Sequence, residues 1–254
     1  MNRVTTNDIL YLLSSGEITL EGMLPWSSNY TFLVMVHGRF PHQDTIVEIP
    51  AVYKPRSGER PLWDFPPGTL SQRERAAFFV SHALGWELIP PTILRQGPRG
   101  IGSLQFFIHH DPEKHYFTIE GDSTFRQQLQ QIALLDIIIN NADRKGGHIL
   151  IEEDEDEMPR RIWAIDHGIC FHAEYKLRTV IWEFAGQPIP DTLLDDLQTF
   201  CHQLATAQSQ IRLELETLLA AYEIEAFQKR LDNLIVQKKF ITPGPGRHYP
   251  WPPV

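Results

Sequence analysis

The order of hydrophobic patterns predicts an α+β chain in two lobes, a β-rich N-lobe over residues 1–110 and an α-rich C-lobe over residues 111–254. Three observations carry this. β-Branched and aromatic runs dominate the first part of the chain and are interrupted by one helical stretch. Beyond Ser123 the apolar residues recur mostly with helical spacing. Between these regimes and the C-terminal helices lie two short β-type runs, one preceded by Asn141-Ala142-Asp143-Arg144 and one followed by Asp166-His167-Gly168. A boundary near residues 109–122 makes the lobes one unit sharing a cleft, which 254 residues are enough to build.

The elements follow in order. Asn7 opens a short capped helix over residues 7–13 that ends near Gly16. Residues 30–36 and 45–53 are rich in Val, Ile, Thr, Phe and Tyr and read as strands. Residues 55–70 contain Pro55, Pro61, Pro66 and Pro67 with Gly58 and Gly68, the composition of a loop. Residues 71–84 are helical and stopped by Gly85, and residues 101–108 form another strand. From 123 to about 140 the spacing is helical, with Leu129, Ile132, Ala133, Leu135 and Ile139 inward. Asp136 sits inside that apolar run, so it needs a partner, and hydrogen bonding to the loop that follows supplies one. Residues 191–239 read as two or three amphipathic helices. The tail, residues 243–253, has too many prolines to be helical and enough aromatic residues to pack on the body.

Composition excludes several classes. Hydrophobic residues make up 42% and charged residues 22%, as in an ordinary globular chain. The net charge of −9 owes most of its excess to the acidic block Glu152-Glu153-Asp154-Glu155-Asp156-Glu157, read as a solvated hairpin loop. No basic patch suggests nucleic acid or anionic lipid. No apolar run reaches the ~20 residues of a membrane span, and no signal-peptide pattern opens the chain. Cys170 and Cys201 alone imply neither a disulfide framework nor a cysteine zinc site, so a cytoplasmic setting is expected. His109, His110, His115, His167 and His172 match no zinc spacing.

Asp143 and Asp166 are the candidate chemistry. Two acids at the mouths of neighbouring strands suit phosphoryl transfer, one orienting an attacking hydroxyl and the other holding a divalent cation. Each also has a plain reading as a turn aspartate. Gly168 suits a sharp turn beside a metal.

Asp143-Arg144 with His148 downstream, then Ile165-Asp166-His167-Gly168, resembles the catalytic and metal loops of phosphatidylinositol 3-/4-kinase-like enzymes. The type II phosphatidylinositol 4-kinases resemble it most and the HipA-like bacterial kinases more distantly. The whole chain is also similar to a branch of kinase-like bacterial proteins. Val52-Tyr53-Lys54-Pro55 looks like the nucleotide-binding lysine strand, and Glu74-Arg75-Ala76-Ala77-Phe78 like the helix carrying its glutamate partner. The resemblance covers roughly residues 25–185, in kinase order.

The resemblance implies a two-lobed atypical protein-kinase-like fold and transfer from ATP with Mg²⁺ or Mn²⁺ to a hydroxyl acceptor, whether small molecule, lipid or protein. It places Asp143 and Arg144 in the catalytic loop, Asp166 and His148 on metal, and Lys54 with Glu74 on the nucleotide. Ser27 and Ser28 would cover the phosphates, since no Gly-x-Gly-x-x-Gly loop is present. Two readings stay open for Glu74, because Ser71-Gln72-Arg73-Glu74 is also a capping box. Most of the resembled kinases carry Asn where this chain has His148. The imidazole either ligates, favouring Mn²⁺ over Mg²⁺, or contacts phosphate, or marks a lost second metal. As a ligand it implies activity falling below about pH 6. A nucleotide-binding regulator without transferase activity, and nucleotidyl transfer on the same fold, remain alternatives.

Overall fold

The computed structural model describes residues 4–24, 29–41, 45–152 and 161–254. Helix α1, Thr6–Ser15, is started by a reciprocal cap. The Thr5 hydroxyl accepts the Asp8 N–H at 3.2 Å, and the Asp8 carboxylate accepts the Thr5 N–H at 2.9 Å. Strands β1 (Glu17–Met23), β2 (Phe32–Gly38) and β3 (Val47–Pro55) follow. Helix α2 covers Leu70–Ala83, and β4 (Thr92–Gly97) and β5 (Gly100–Phe106) complete an antiparallel sheet in the order β1-β2-β3-β5-β4.

Strand alternation decides what faces the site. Phe32, Val34 and Val36 on β2 and Ala51 and Tyr53 on β3 pack with Leu12 and Leu13 of α1 in a small core. The intervening β3 positions, Val52 and Lys54, therefore face the other way and line a cavity. Lys54 stands opposite Ser103 of β5. A Cβ at neighbouring Gly102 would collide with the Lys54 carbonyl and Pro55 Cα, so only glycine lets β5 lie this close to the lysine.

The chain then turns helical. α3 (Tyr116–Ile119) is one turn, and α4 (Arg126–Ile139) is buried from Leu134 through Ile139. Asn140 ends α4 in the left-handed conformation, φ 55°. A 3₁₀ turn, Gly146–His148, leads into β6 (Ile149–Ile151), which pairs with β7 (Ile162–Ala164). Helices α5 (Asp191–Ala205), α6 (Gln210–Leu218) and α7 (Ala221–Gln237) close the larger core. Arg73 of α2 reaches across, donating to Cys170 O at 2.7 Å and pairing with buried Glu223 of α7 at 2.6 Å.

The sequence reading missed β1, β4 and α3. β1 is an edge strand with little burial and a register shift between Leu20 and Gly22, so it lacks an apolar run. β4 begins directly after Pro90-Pro91 and is only six residues long, so it gives little strand signal. Nearly all of the expected acidic hairpin lies outside the described residues, although Glu152 accepts the Trp163 indole N–H at 2.9 Å. The C-terminal tail touches the body through Pro250, which is buried, and through backbone carbonyls, whereas the aromatic residues expected to pack, Tyr249 and Trp251, are exposed. No described helix is long and apolar enough to cross a membrane.

Candidate active site

Lys54, at the end of β3, projects into a polar cleft of about 320 Å³ whose walls include Glu59, Ser71, Glu74, Asp143, Lys145, His148 and Asp166. Its ammonium lies 2.5 Å from Glu74 Oε1 and 3.0 Å from Asp166 Oδ1. Burial disfavours the charged amine, yet the two carboxylates outweigh it and hold Lys54 above its usual range. The other Glu74 oxygen accepts the His167 N–H at 3.0 Å. Glu74 thus joins the lysine to the loop carrying Asp166, and the capping-box reading is corrected. The α2 N-cap is Thr69, and Glu59 takes the free amides instead, accepting from Leu70 and Ser71 at 3.2 and 3.0 Å.

Asp166 follows β7 with φ 61°, a left-handed conformation unusual for a residue other than glycine. The turn expected at Gly168 is present at Gly168 and Ile169, two residues beyond this left-handed aspartate. A Cβ at Gly168 would meet Leu70 Cβ at 3.5 Å, an ordinary contact. The Lys54 ammonium holds the Asp166 carboxyl far below the ordinary range, against the cost of leaving bulk water.

Asp143 owes its position to two asparagines. Asn140 fixes the segment after Asp166, donating to His172 O and Glu174 O at 2.8 and 2.7 Å and accepting the Lys176 N–H at 2.8 Å. Asn141 accepts the Asp143 N–H at 3.0 Å and donates to Asp136 at 2.8 Å. Burial raises the Asp143 pKa, with Lys145 pulling the other way at 3.5 Å and Asp166 adding repulsion.

The expectation that Arg144 joins Asp143 in the chemistry is corrected: its side chain has no exposure. It grips both oxygens of Asp136, at 2.9 Å each for the closest nitrogens, because a carboxylate inside α4 needs a counter-charge. Its remaining donors bind Ile165 O at 2.8 Å and His167 Nε2 at 2.6 Å. Arginine only donates, so His167 Nε2 accepts. Burial first, then Arg144, keeps His167 neutral, far below its ordinary pKa. Arg144 therefore ties the Asp143 loop to the Asp166 loop from behind.

His148 Nε2 lies 3.4 Å from Asp166 Oδ2, a pair that borders one space in the cleft. Among the described residues no group of three or more His, Cys, Asp or Glu forms a metal cage. Asp166, an oxygen donor open to the cleft, fits a hard divalent cation. His148 fits at a cost: its Nδ1 accepts the Lys145 N–H at 3.4 Å, which leaves the neutral ring's proton on Nε2. Ligation through Nε2 requires the other tautomer and the loss of that hydrogen bond. Burial also pushes the His148 pKa down to about 4, so the ring stays neutral at pH 6 and the expected activity loss moves to lower pH.

Ser27 and Ser28 lie outside the described residues. Their neighbours Asn29, Tyr30 and Thr31 line the cleft, and Asn29 Oδ1 accepts the Arg60 N–H at 2.8 Å. Sequence reasoning missed Lys145 and Glu59, and it missed an apolar cavity of about 560 Å³ adjoining Lys54 and lined by Val52, Phe106, Phe107, Ile108 and Leu150. Lys145 was findable, two positions after the candidate base. Glu59 was hidden in a proline-rich loop.

The family model described as phosphatidylinositol 3- and 4-kinase matches residues 92–223. Protein Rv2133c of Mycobacterium tuberculosis is 37% identical over 278 aligned positions, covering 95% of this chain and 94% of that protein. Phosphatidylinositol 4-kinase gamma 4 of Oryza sativa is 32% identical over 131 positions, covering 45% of this chain but only 22% of the rice protein. Among solved structures, the Golgi casein kinase with Mn/ADP bound superposes with a TM-score of 0.60 at 16% identity, covering 91% of this chain and 74% of that one. At that identity the likeness speaks for the fold alone.

Proposed function

Because the chain belongs to the phosphatidylinositol 3- and 4-kinase family, we propose that it transfers the γ-phosphoryl group of ATP, with Mg²⁺ or Mn²⁺, to a hydroxyl acceptor in the cleft. The observation that carries this is the Lys54 ammonium held between Glu74 and Asp166, with Asp143 lining the same cleft. The apolar cavity beside Lys54 suits a nucleobase, and the polar cleft suits phosphates and the acceptor. A divalent cation would neutralise phosphate charge, with Asp166 holding it and His148 as the second candidate ligand.

Each side chain then has a task. Lys54 binds nonbridging phosphate oxygens, and Glu74 keeps its ammonium aimed. Asp143 accepts a hydrogen bond from the acceptor hydroxyl and orients its lone pair for in-line attack. The raised pKa of Asp143 brings it closer to the operating range of a general base. Lys145, an ammonium beside that carboxylate, neutralises charge on the transferring group.

The test is ligand-dependent stabilisation with product analysis. Nucleotide and metal at about 100 times the dissociation constant stabilise the folded state by about 2.7 kcal/mol. Asp166→Asn should lose the metal-dependent part, and Lys54→Ala should weaken the shift with or without metal. ADP as product supports phosphoryl transfer, whereas pyrophosphate indicates nucleotidyl transfer. No shift in the wild-type chain at millimolar ATP with either metal overturns the reading.

A further inference from the structure

The tail that follows α7 ends on the catalytic loop. After the bridge between Lys239 and Pro188, the chain runs through five prolines between positions 243 and 253, a composition that resists coiling into a helix. It returns to the body at two carbonyls. His248 O accepts the Thr179 N–H at 3.0 Å and the Trp182 indole N–H at 3.3 Å. Pro253 O accepts the Gly146 N–H at 2.7 Å.

Both contacts bear on the residues around Asp143. Thr179 belongs to the segment that brackets Arg144, which donates its N–H to Arg178 O at 2.9 Å and accepts the Val180 N–H at 3.1 Å. Gly146 opens the 3₁₀ turn Gly146–His148, and an amide in the first turn of a helix finds no acceptor within it. Gly146 is buried, so water is a poor substitute. The space is also closed: a Cβ at Gly146 would stand 2.8 Å from the Phe117 ring and 3.5 Å from Pro253 O. The loop segment between Asp143 and His148 is therefore pinned by backbone far away in sequence.

We infer that residues 248–253 form a strap whose His248 and Pro253 carbonyls position the catalytic loop for phosphoryl transfer. These are positioning groups, since neither residue lines the nucleotide cleft or touches Lys54 or Asp166. The consequence for activity rests on the kinase reading of the cleft. The mechanical claim does not, and the experiment separates them.

The chain is shortened to end at Tyr249, which removes Pro253 and keeps His248. Hydrogen exchange in the peptide covering residues 143–148 should rise by about tenfold or more, the effect of losing one buried hydrogen bond, while exchange in α5–α7 stays as it was. The thermal shift with ATP and Mg²⁺ should persist, because Lys54 and Asp166 do not depend on the tail. ADP formation should fall in kcat with the KM for ATP unchanged, a split that general destabilisation would not produce, and a synthetic peptide of residues 247–254 should partly restore it. Unchanged exchange at 143–148 overturns the strap. Raised exchange with unchanged kcat overturns its role in transfer. Raised exchange with no nucleotide shift in either protein upholds the mechanical claim and removes the kinase reading. Should the shortened chain not fold, the full-length protein carries the test: the Gly146 amide must be protected, and free exchange there overturns the inference.

Discussion

Replacing Arg144 by methionine removes the counter-charge from Asp136 while keeping an unbranched chain of similar reach. Both side chains of the pair are 0% exposed. In Arg144→Met the Asp136 carboxylate keeps one side-chain donor, the Asn141 amide, inside an otherwise apolar stretch of α4. Breaking a buried pair by deleting one partner costs about 3–5 kcal/mol. At about 2–4 °C per kcal/mol for a chain of this size, the melting temperature should fall by about 6–20 °C. The double variant Asp136→Leu/Arg144→Met abolishes the stranded charge; the Ile165 carbonyl and His167 Nε2 lack their donor in both variants, and the double adds only the unpaired Asn141 amide, at about 1–3 kcal/mol. It should therefore be more stable than Arg144→Met alone, a coupling that a double-mutant cycle by calorimetry measures directly. A single variant within about 3 °C of wild type, or a double variant no more stable than the single, would refute the account of Arg144 as the counter-ion that braces the two loops.

Two further outcomes follow from the same geometry. If His148 Nε2 ligates, His148→Asn should shift nucleotide-dependent stabilisation from Mn²⁺ toward Mg²⁺, since nitrogen donors favour the later ion, and an unchanged ratio in a folded variant takes His148 out of the metal shell. His82 pairs with Glu87 at 2.5 Å, which raises its pKa, so its stabilisation is fully present below the unfolded value of about 6.5 and is lost as pH rises through the folded value. The melting-temperature advantage of wild type over His82→Gln should shrink across that window, and an advantage that grows with pH contradicts the assignment.

Elements with one strongly apolar face were legible in the sequence. Residues 123–140 carry helical spacing because α4 is buried along most of its length, and the β-branched runs mark β2 and β3 because those strands lie inside the sheet. β1 is an exposed edge, where hydrogen bonds to β2 hold the strand and side-chain patterning has little to do. The same logic divides the site. Asp143 and Asp166 were readable as acids beside two short strands, Lys54 and Glu74 through the family resemblance, and the structure gathers all four around one cleft. Arg144 was misread because a charge beside a candidate base looks chemical in one dimension. Its purpose depends on Asp136, one helical turn behind the loop and facing inward.

The tail explains why part of this site resists reading from sequence at all. Pro253 and His248 act through carbonyl oxygens, which every residue possesses, so no side-chain pattern announces them. What the sequence does show is stiffness, five prolines in a short stretch, and stiffness is what lets a chain end hold a carbonyl in place at small entropic cost. Asp143 is then aligned by three layers: Asn141 on its own amide, Arg144 behind it, and the strap on Gly146 ahead of it. The first two are read from side chains. The third is written in backbone and becomes visible only when the fold brings residue 253 back to residue 146.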